Sequence, residues 1–288
     1  MQKFDVLIVG AGMVGLTLAL ALRKNSQLKI AMVDTSAVTD LDDNIDVRVS
    51  AVNVASKNIF VNLGVWSAIK NSRVQGYQHM HVWDGSNGAF IDFDSRLIAQ
   101  PDLGSIIEES ILKEALLNQV KAAPLITLFA HHDVLEIKES VDGVMLLSNT
   151  ASWAGRLLMV ADGARSPARE QLKVGLTQWS YQQQALVATV KTELPHQRTA
   201  FQVFNPDGPL AFLPLAESNQ CSIVWSTDTA RAQSLIKLDE DAFNHELAKA
   251  FGKKLGAVHL SSVRHQFPLH MRHVKQYCGS CWLLLGDA

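Results

Sequence analysis

Three groups of residues in this chain have types and spacings that could do chemistry. Gly10-Ala11-Gly12-Met13-Val14-Gly15 stands near the start, and Asp162-Gly163-Ala164-Arg165-Ser166-Pro167-Ala168-Arg169 in the middle. Gly286-Asp287 follows the apolar run 282–285 at the end. In the first group, Gly10 permits a tight turn off a strand and Gly12 lets the backbone approach a pyrophosphate. Gly15 lets a helix pack closely on a sheet. Free amides at the helix start then face the phosphates. Asp34 lies 19 residues after Gly15 and closes the next apolar run. A carboxylate there accepts hydrogen bonds from ribose hydroxyls and disfavours a 2′-phosphate, so the spacing points to FAD or NAD rather than NADP.

Positioning these groups requires a particular set of elements. Residues 4–9 and 29–33 read as apolar strands around a helix at 13–23, a β-α-β unit. Residues 54–63 and 106–120 have the spacing of amphipathic helices. Residues 80–83 and 89–93 read as strands around the Gly85/Gly88 turn. Further short strands are expected at 134–137, 144–147 and 157–160, with turns at Asp142-Gly143 and Ala154-Gly155. After about Trp179 the texture changes. Segments 185–192, 199–204, 210–213 and 222–226 are β-rich and separated by Pro, Gly and Asn clusters, followed by one helix at about 240–251. The pattern predicts an α/β fold in which a Rossmann-like dinucleotide domain covers 1–178, with a small β excursion at about 78–100. A mostly antiparallel β-sheet substrate domain is inserted at 179–272, and 273–288 return to the first domain.

Composition bounds the function. The 288 residues are 48% hydrophobic and 19% charged with a formal net charge of -2, as in a soluble globular protein. No basic stripe interleaves with aromatics, so the expected partner is a small molecule and not a nucleic acid. Residues 6–22 carry no charge, yet they fall short of the ~20 residues of a spanning helix and hold the three glycines. A cytoplasmic location is expected. The three cysteines, Cys221, Cys278 and Cys281, fit a reducing compartment and no disulfide framework. His270-x-x-His273 followed by Cys278-x-x-Cys281 has ligand types that could suit zinc. Cys281 leads straight into an apolar strand, however, and no catalytic context accompanies the four, so packing is expected and no metal. His131-His132 reads as a solvated loop pair.

Asp162, Gly163, Ser166 and Arg169, in the pattern Asp-Gly-x-x-Ser-x-x-Arg, resemble the DG motif of the class A flavoprotein monooxygenases, the p-hydroxybenzoate hydroxylase family. Gly286-Asp287 resembles that family's GD motif, whose Asp hydrogen-bonds the ribityl/ribose portion of FAD. All three motifs stand in the family's order. Arg48-Val49-Ser50-Ala51-Val52-Asn53, Leu63-Gly64-Val65-Trp66, Val82-Trp83-Asp84 and Gly104-Ser105-Ile106-Ile107-Glu108 resemble its ubiquinone-biosynthesis branch, as do Ala185-Leu186-Val187-Ala188-Thr189 and Leu210-Ala211-Phe212-Leu213-Pro214-Leu215. Within that branch the similarity is greatest to hydroxylases acting at C5 of 2-polyprenylphenols, and it covers the whole chain. Arg48 matches a position whose arginine contacts FAD. The helix starting near Glu108 matches one that offers a polar side chain to the flavin, with Glu109 standing where Asn, Gln or Arg would be expected.

The resemblance implies an FAD-dependent aromatic-ring hydroxylase. Reduced FAD would react with O2 to give a C4a-hydroperoxide that attacks a polyprenylphenol ring. Gly10, Gly12, Gly15, Asp34, Arg48, Asp162, Gly163, Arg169, Gly286 and Asp287 would hold the cofactor. Leu210, Phe212 and Pro214 would form an apolar substrate wall. No triad or carboxylate pair is present, this chemistry needs neither, and no catalytic side chain is assigned. With a single dinucleotide fingerprint, electrons would come from NAD(P)H docking transiently or from a protein donor. Other ubiquinone-biosynthesis proteins as partners, and peripheral contact with the inner membrane, stay open. So do a hydroxylase or reductase of another aromatic or isoprenoid substrate and a non-catalytic flavin-fold subunit. In the family, Gly-Asp-Ala continues into a loop and helix that close over the cofactor. The expectation is a C-terminally truncated chain that binds FAD weakly and is inactive alone.

Overall fold

A five-stranded parallel sheet carries the glycine motif. The computed structural model describes residues 1–36 and 46–288. The strands run in the order Trp282–Leu284, Leu157–Val160, Val6–Val9, Ile30–Val33, Ile126–Phe129. Val6–Val9 is buried on both faces, as a near-continuous apolar run in a parallel sheet must be. Val6 and Ile8 face the helices Met13–Lys24 and Glu109–Ala122, packing with Leu16, Leu20, Leu112 and Leu116. Leu7 and Val9 face the other way, onto Val144, Leu146 and Trp153. Those residues belong to a four-stranded sheet in the order Gln2–Lys3, Ser152–Gly155, Gly143–Leu147, Glu136–Ser140. The result is three layers: helices, parallel sheet, β-meander.

An eight-stranded sheet forms the second body of the structure. Its spine is the 17-residue strand Leu176–Thr192, interrupted by a register shift between Ser180 and Gln184. Gln220–Asp228, Gly208–Pro214 and Thr199–Asn205 follow in antiparallel order, while His265–Val274 and Val258–Leu260 pair with the other side of the spine. Two helices, Thr229–Lys237 and Glu240–Ala250, cover one face and bury Ala232, Leu235, Phe243 and Leu247 there. Only the second was expected from sequence.

Two departures from the sequence reading have physical causes. His79–Asp84 pairs in parallel with Thr199–Asn205, and Phe90–Asp94 pairs with His79–Asp84, so the excursion at 78–100 is the outer edge of the eight-stranded sheet. The helix expected at 106–120 begins at Glu109. Gly104–Glu108 is the central strand of a three-stranded sheet with Val49–Asn53 and Val74–Tyr77. Ile106 and Ile107 continue without a break into Ile111 and Leu112, so apolar spacing alone does not mark the junction. No described helix is long and apolar enough to cross a membrane.

His196 ties the turn after the spine strand to the end of Gly208–Pro214. Its buried Nε2 lies 3.1 Å from the Leu215 carbonyl and 3.0 Å from that of Glu217, while Nδ1 accepts the Arg198 amide at 3.0 Å. A ring donating from Nε2 and accepting at Nδ1 is neutral. Burial pushes its pKa below the usual histidine range, against the pull of the two carbonyls. The unfolded chain takes up this proton near pH ~6.5 while the folded chain resists it, so stability is full above that pH and falls as pH drops through it. The expected slope is at most about 1.4 kcal/mol per pH unit for this one group. Urea titrations between pH 5 and 8 should show His196→Asn to be less stable but flatter in this window. Parallel pH profiles for the two proteins would refute the assignment.

Candidate functional site

Four strands of the parallel sheet deliver the motif residues to one edge. Gly10 follows Val6–Val9, Asp34 follows Ile30–Val33, Asp162 lies just past Leu157–Val160, and Gly286 just past Trp282–Leu284. The chain builds outward from Val6–Val9, first toward Ile126–Phe129 and then, on the other side, toward Trp282–Leu284. The order therefore reverses between Val6–Val9 and Leu157–Val160. The crevice at the carboxyl ends of such a pair is where open α/β sheets bind ligands.

Each glycine of the first motif meets a different constraint. Gly10 has φ +104°, and a Cβ there would overlap the Ala161 carbonyl, so the first motif is pressed against the second. A Cβ on Gly15 would overlap the Gly10 carbonyl, which is the close helix–turn approach. A Cβ on Gly12 would meet nothing within 4 Å. Gly12 thus leaves space, and no side chain caps the start of Met13–Lys24. The uncapped amides and the positive end of the helix dipole face that space, an arrangement made for an anion. Gly286, at φ +64°, comes against Val14 in the first turn of the same helix, which brings the third motif to the first.

The carboxylates hold the loops and keep acceptors to spare. Asp34 Oδ2 accepts the Ala11 amide at 2.5 Å and Oδ1 accepts the Ser36 amide at 2.7 Å, leaving a lone pair on each oxygen. Asp162 Oδ2 accepts the Ala168 amide at 3.2 Å, while its buried Oδ1 has no partner. Burial pushes the Asp162 carboxyl above the usual carboxylate range, opposed by Ser166, the Ala168 amide and the Arg169 charge. Arg169 is 4% exposed, so it is not a solvated surface charge. Gly163, at φ +83°, turns the chain between them. A cleft of about 570 Å3 opens between Gly10, Asp34, His132, Asp162 and Pro167. A smaller one, about 230 Å3, lies beside Arg169, Arg272, Tyr277 and Asp287. The orphaned Asp162 oxygen, the empty space over Gly12 and the spare acceptors on Asp34 fit a dinucleotide with a diphosphate bridge.

Arg48 lies between the nucleotide region and the eight-stranded sheet. Its Nε lies 3.1 Å from Glu109 Oε2, and its guanidinium sits 5.9 Å from the centre of the Phe267 ring on the eight-stranded sheet. Sequence reasoning missed what holds this segment. Glu108 is 3% exposed and takes Arg73 in a two-pronged ion pair, with Nε to Oε1 at 2.8 Å and the terminal nitrogen to Oε2 at 2.9 Å. The Asp46 amide donates to Glu108 Oε2 at 2.8 Å, while Asp46 accepts the Arg48 and Ser110 amides. Residues 46, 73 and 108 are far apart in sequence, so no local spacing announces them.

The expected substrate wall is a correction. Leu210 and Phe212 are completely buried, Phe212 stacking on Phe251 with centroids 3.8 Å apart, in the core under the two helices. Pro214 is buried in the same alternation. Side chains alternate along a strand, so these three share the face turned to the helices. Ala211 and Leu213 occupy the other face. His132, expected to be solvated, packs edge-on against Trp153 at 5.1 Å, and only His131 is exposed. Cys281 is buried against the Gly143 carbonyl, whereas His270 and Cys278 are exposed.

Comparison with known proteins gives concordant results. Residues 3–288 match the family described as FAD binding domain. The chain is 32% identical, over its whole length, to 73% of the 3-demethoxyubiquinol 3-hydroxylase of Escherichia coli. It is 32% identical over 99% of its length to 66% of the ubiquinone hydroxylase UbiL of Rhodospirillum rubrum. Among solved structures, p-nitrophenol 4-monooxygenase PnpA from Pseudomonas putida shares the fold, with a TM-score of 0.77 at 18% identity, over all of this chain and 73% of its own.

Proposed function

The chain belongs to the FAD-binding-domain family of flavin-dependent monooxygenases, in the branch that holds the ubiquinone-biosynthesis hydroxylases, and on that premise we propose that it hydroxylates the ring of a polyprenyl-substituted phenol. The observation that carries this reading is the meeting of the motifs of Gly12, Asp34, Asp162 and Gly286 along one edge of the parallel sheet. FAD supplies the O2 chemistry when bound, and the protein supplies position and electrostatics.

The amides at the start of Met13–Lys24 face the diphosphate across Gly12, and Asp34 accepts from the adenosine ribose. Asp162, held by the Ala168 amide and balanced by Arg169, presents its free oxygen to the cofactor, with Gly163 turning the chain beside it. Asp287, at the edge of the crevice, accepts from the sugar-alcohol portion. Phe267 lies under Arg48 and marks where the eight-stranded sheet meets the nucleotide region. Directly paired residues of neighbouring strands share a face, so Ala185 and Val187 stand beside Phe267. We place the substrate ring against this corner, which is apolar enough to exclude water from the transferring oxygen. Residues 1–178 and 273–288 hold the cofactor, and 179–272 together with the edge strands at 78–100 roof the substrate. Electrons come from NAD(P)H in a transient complex or from a protein donor.

The test is oxygen incorporation. The full-length protein, loaded with FAD and given reductant, isotopically labelled O2 and a polyprenylphenol, should place one labelled oxygen on the ring. Mass spectrometry of fragments then identifies the carbon. Electron consumption with no labelled product, for this phenol or for a demethoxyubiquinol, would favour a reductase instead.

A further inference from the structure

The eight-stranded sheet carries a row of side chains that the core does not use. Across seven strands, Ile91 pairs with Val82, Val82 with Gln202, Gln202 with Ala211, Ala211 with Val224, Val224 with Val187 and Val187 with His265. Directly paired residues point to the same side. That side is opposite the helices, because the alternating positions Trp83, Val203, Leu210, Phe212 and Trp225 fill the helix-covered core. Six strand spacings make the row about 29 Å long. From Ile91 to Val187 it holds no charge and one amide. Val82, Gln202, Ala211, Val224 and Val187 are half-buried, and Ile91 is 53% exposed.

We infer that this row is the track for the hydrocarbon tail of the substrate, laid across the strands from the Phe267 corner to the free edge at Ile91. The inference rests on the hydroxylase reading and adds to it where the tail goes. Three observations favour an extended isoprenoid chain over a protein partner. From Ile91 to Val187 the row is a single line of small or branched aliphatic side chains broken only by Gln202, narrower than a helix of ~10 Å diameter. It is continuous with the corner where Arg48 meets Phe267, since Phe267 and His265 lie on the same face of His265–Val274. At the far end it opens at an edge strand whose Phe90, Ile91 and Phe93 are all exposed, an exit for a tail longer than the track. A second copy adding strands at that edge would meet Asp92 and Asp94 on the same strand, charges that oppose edge pairing.

The experiment uses the holoenzyme and phenols with no tail, one isoprene unit, or a tail long enough to cross the sheet. It also measures direct binding of a long polyprenyl alcohol, which has no ring to hydroxylate. Wild type should bind the alcohol and turn over the long-tailed phenol with kcat/KM at least about tenfold above that of the one-unit phenol, mainly through KM. Ala211→Trp should erase that preference and weaken alcohol binding. Ile91→Asp, at an exposed position where folding is not at stake, should lower kcat/KM for the long tail about tenfold while the one-unit phenol is unchanged. Gln233→Trp, exposed on the helix-covered side, serves as a control and should alter nothing. Wild-type turnover without tail-length preference, or alcohol binding indifferent to both row variants, would overturn the track and leave the hydroxylase reading standing. Tail binding through the row without ring oxidation would do the reverse.

Discussion

Gly12→Glu is expected to fold with near wild-type thermal stability and to lose FAD affinity by at least about a hundredfold. The two halves of that expectation come from one observation, that a Cβ on Gly12 meets nothing within 4 Å. The backbone there has φ -77°, which any residue adopts, so nothing in the fold objects to a side chain. What a glutamate does occupy is the space in front of the helix start, and its charge displaces the diphosphate from those amides. Gly10→Ala and Gly15→Ala should behave in the opposite way. Their added methyls collide with the backbone carbonyls of Ala161 and Gly10, and Gly10 is also held at φ +104°. Each should cost at least about 2 kcal/mol of stability. Thermal melts and a fluorescence titration with FAD on the three variants separate the roles. Wild-type FAD affinity in Gly12→Glu would show that the dinucleotide does not lie on this helix.

The contrast also shows what kind of information a sequence carries about a site. Gly10 and Gly15 were readable because backbone geometry leaves few residue types for those positions, and Gly12 because a diphosphate approaching the helix start leaves no room for a side chain. Asp34, Asp162 and Gly286 were readable because each closes an apolar run, and parallel strands release their ends on one edge. The substrate side was harder. The run at 210–215 alternates, and alternation says that a strand has two unlike faces without saying which one the substrate meets. Leu210 and Phe212 went to the helix-covered core, and Ala211 was left on the opposite face. Parallel pairing between His79–Asp84 and Thr199–Asn205 joins segments more than a hundred residues apart, and nothing local marks it. The same holds for Glu108, whose neighbour Glu109 drew attention because it matched a family position.

Glu108 nevertheless carries the second large effect. A carboxylate with its side chain 4% exposed is tolerable only while its partners remain, and here they are the Arg73 guanidinium and the Asp46 amide. Arg73→Ala leaves that charge buried and uncompensated, and should cost about 3 kcal/mol, toward the lower end for a broken buried pair because Arg73 is itself partly exposed. The pair is not stabilising in proportion. Arg73→Leu combined with Glu108→Leu removes both desolvated charges and should recover most of the loss, so the double mutant should be more stable than Arg73→Ala alone. Function should not recover with it. Glu108 fixes the Asp46 amide, and Asp46 in turn accepts the amide of Arg48, which bridges Glu109 and Phe267 between the nucleotide region and the eight-stranded sheet. Without the carboxylate that segment loses its anchor, and Arg48 loses its position over the ring. Urea melts and FAD titrations on both variants test the two parts together. Stability regained while FAD affinity stays low would identify the buried pair as a positioning device. Stability and affinity returning in step would mean that Glu108 serves the fold alone.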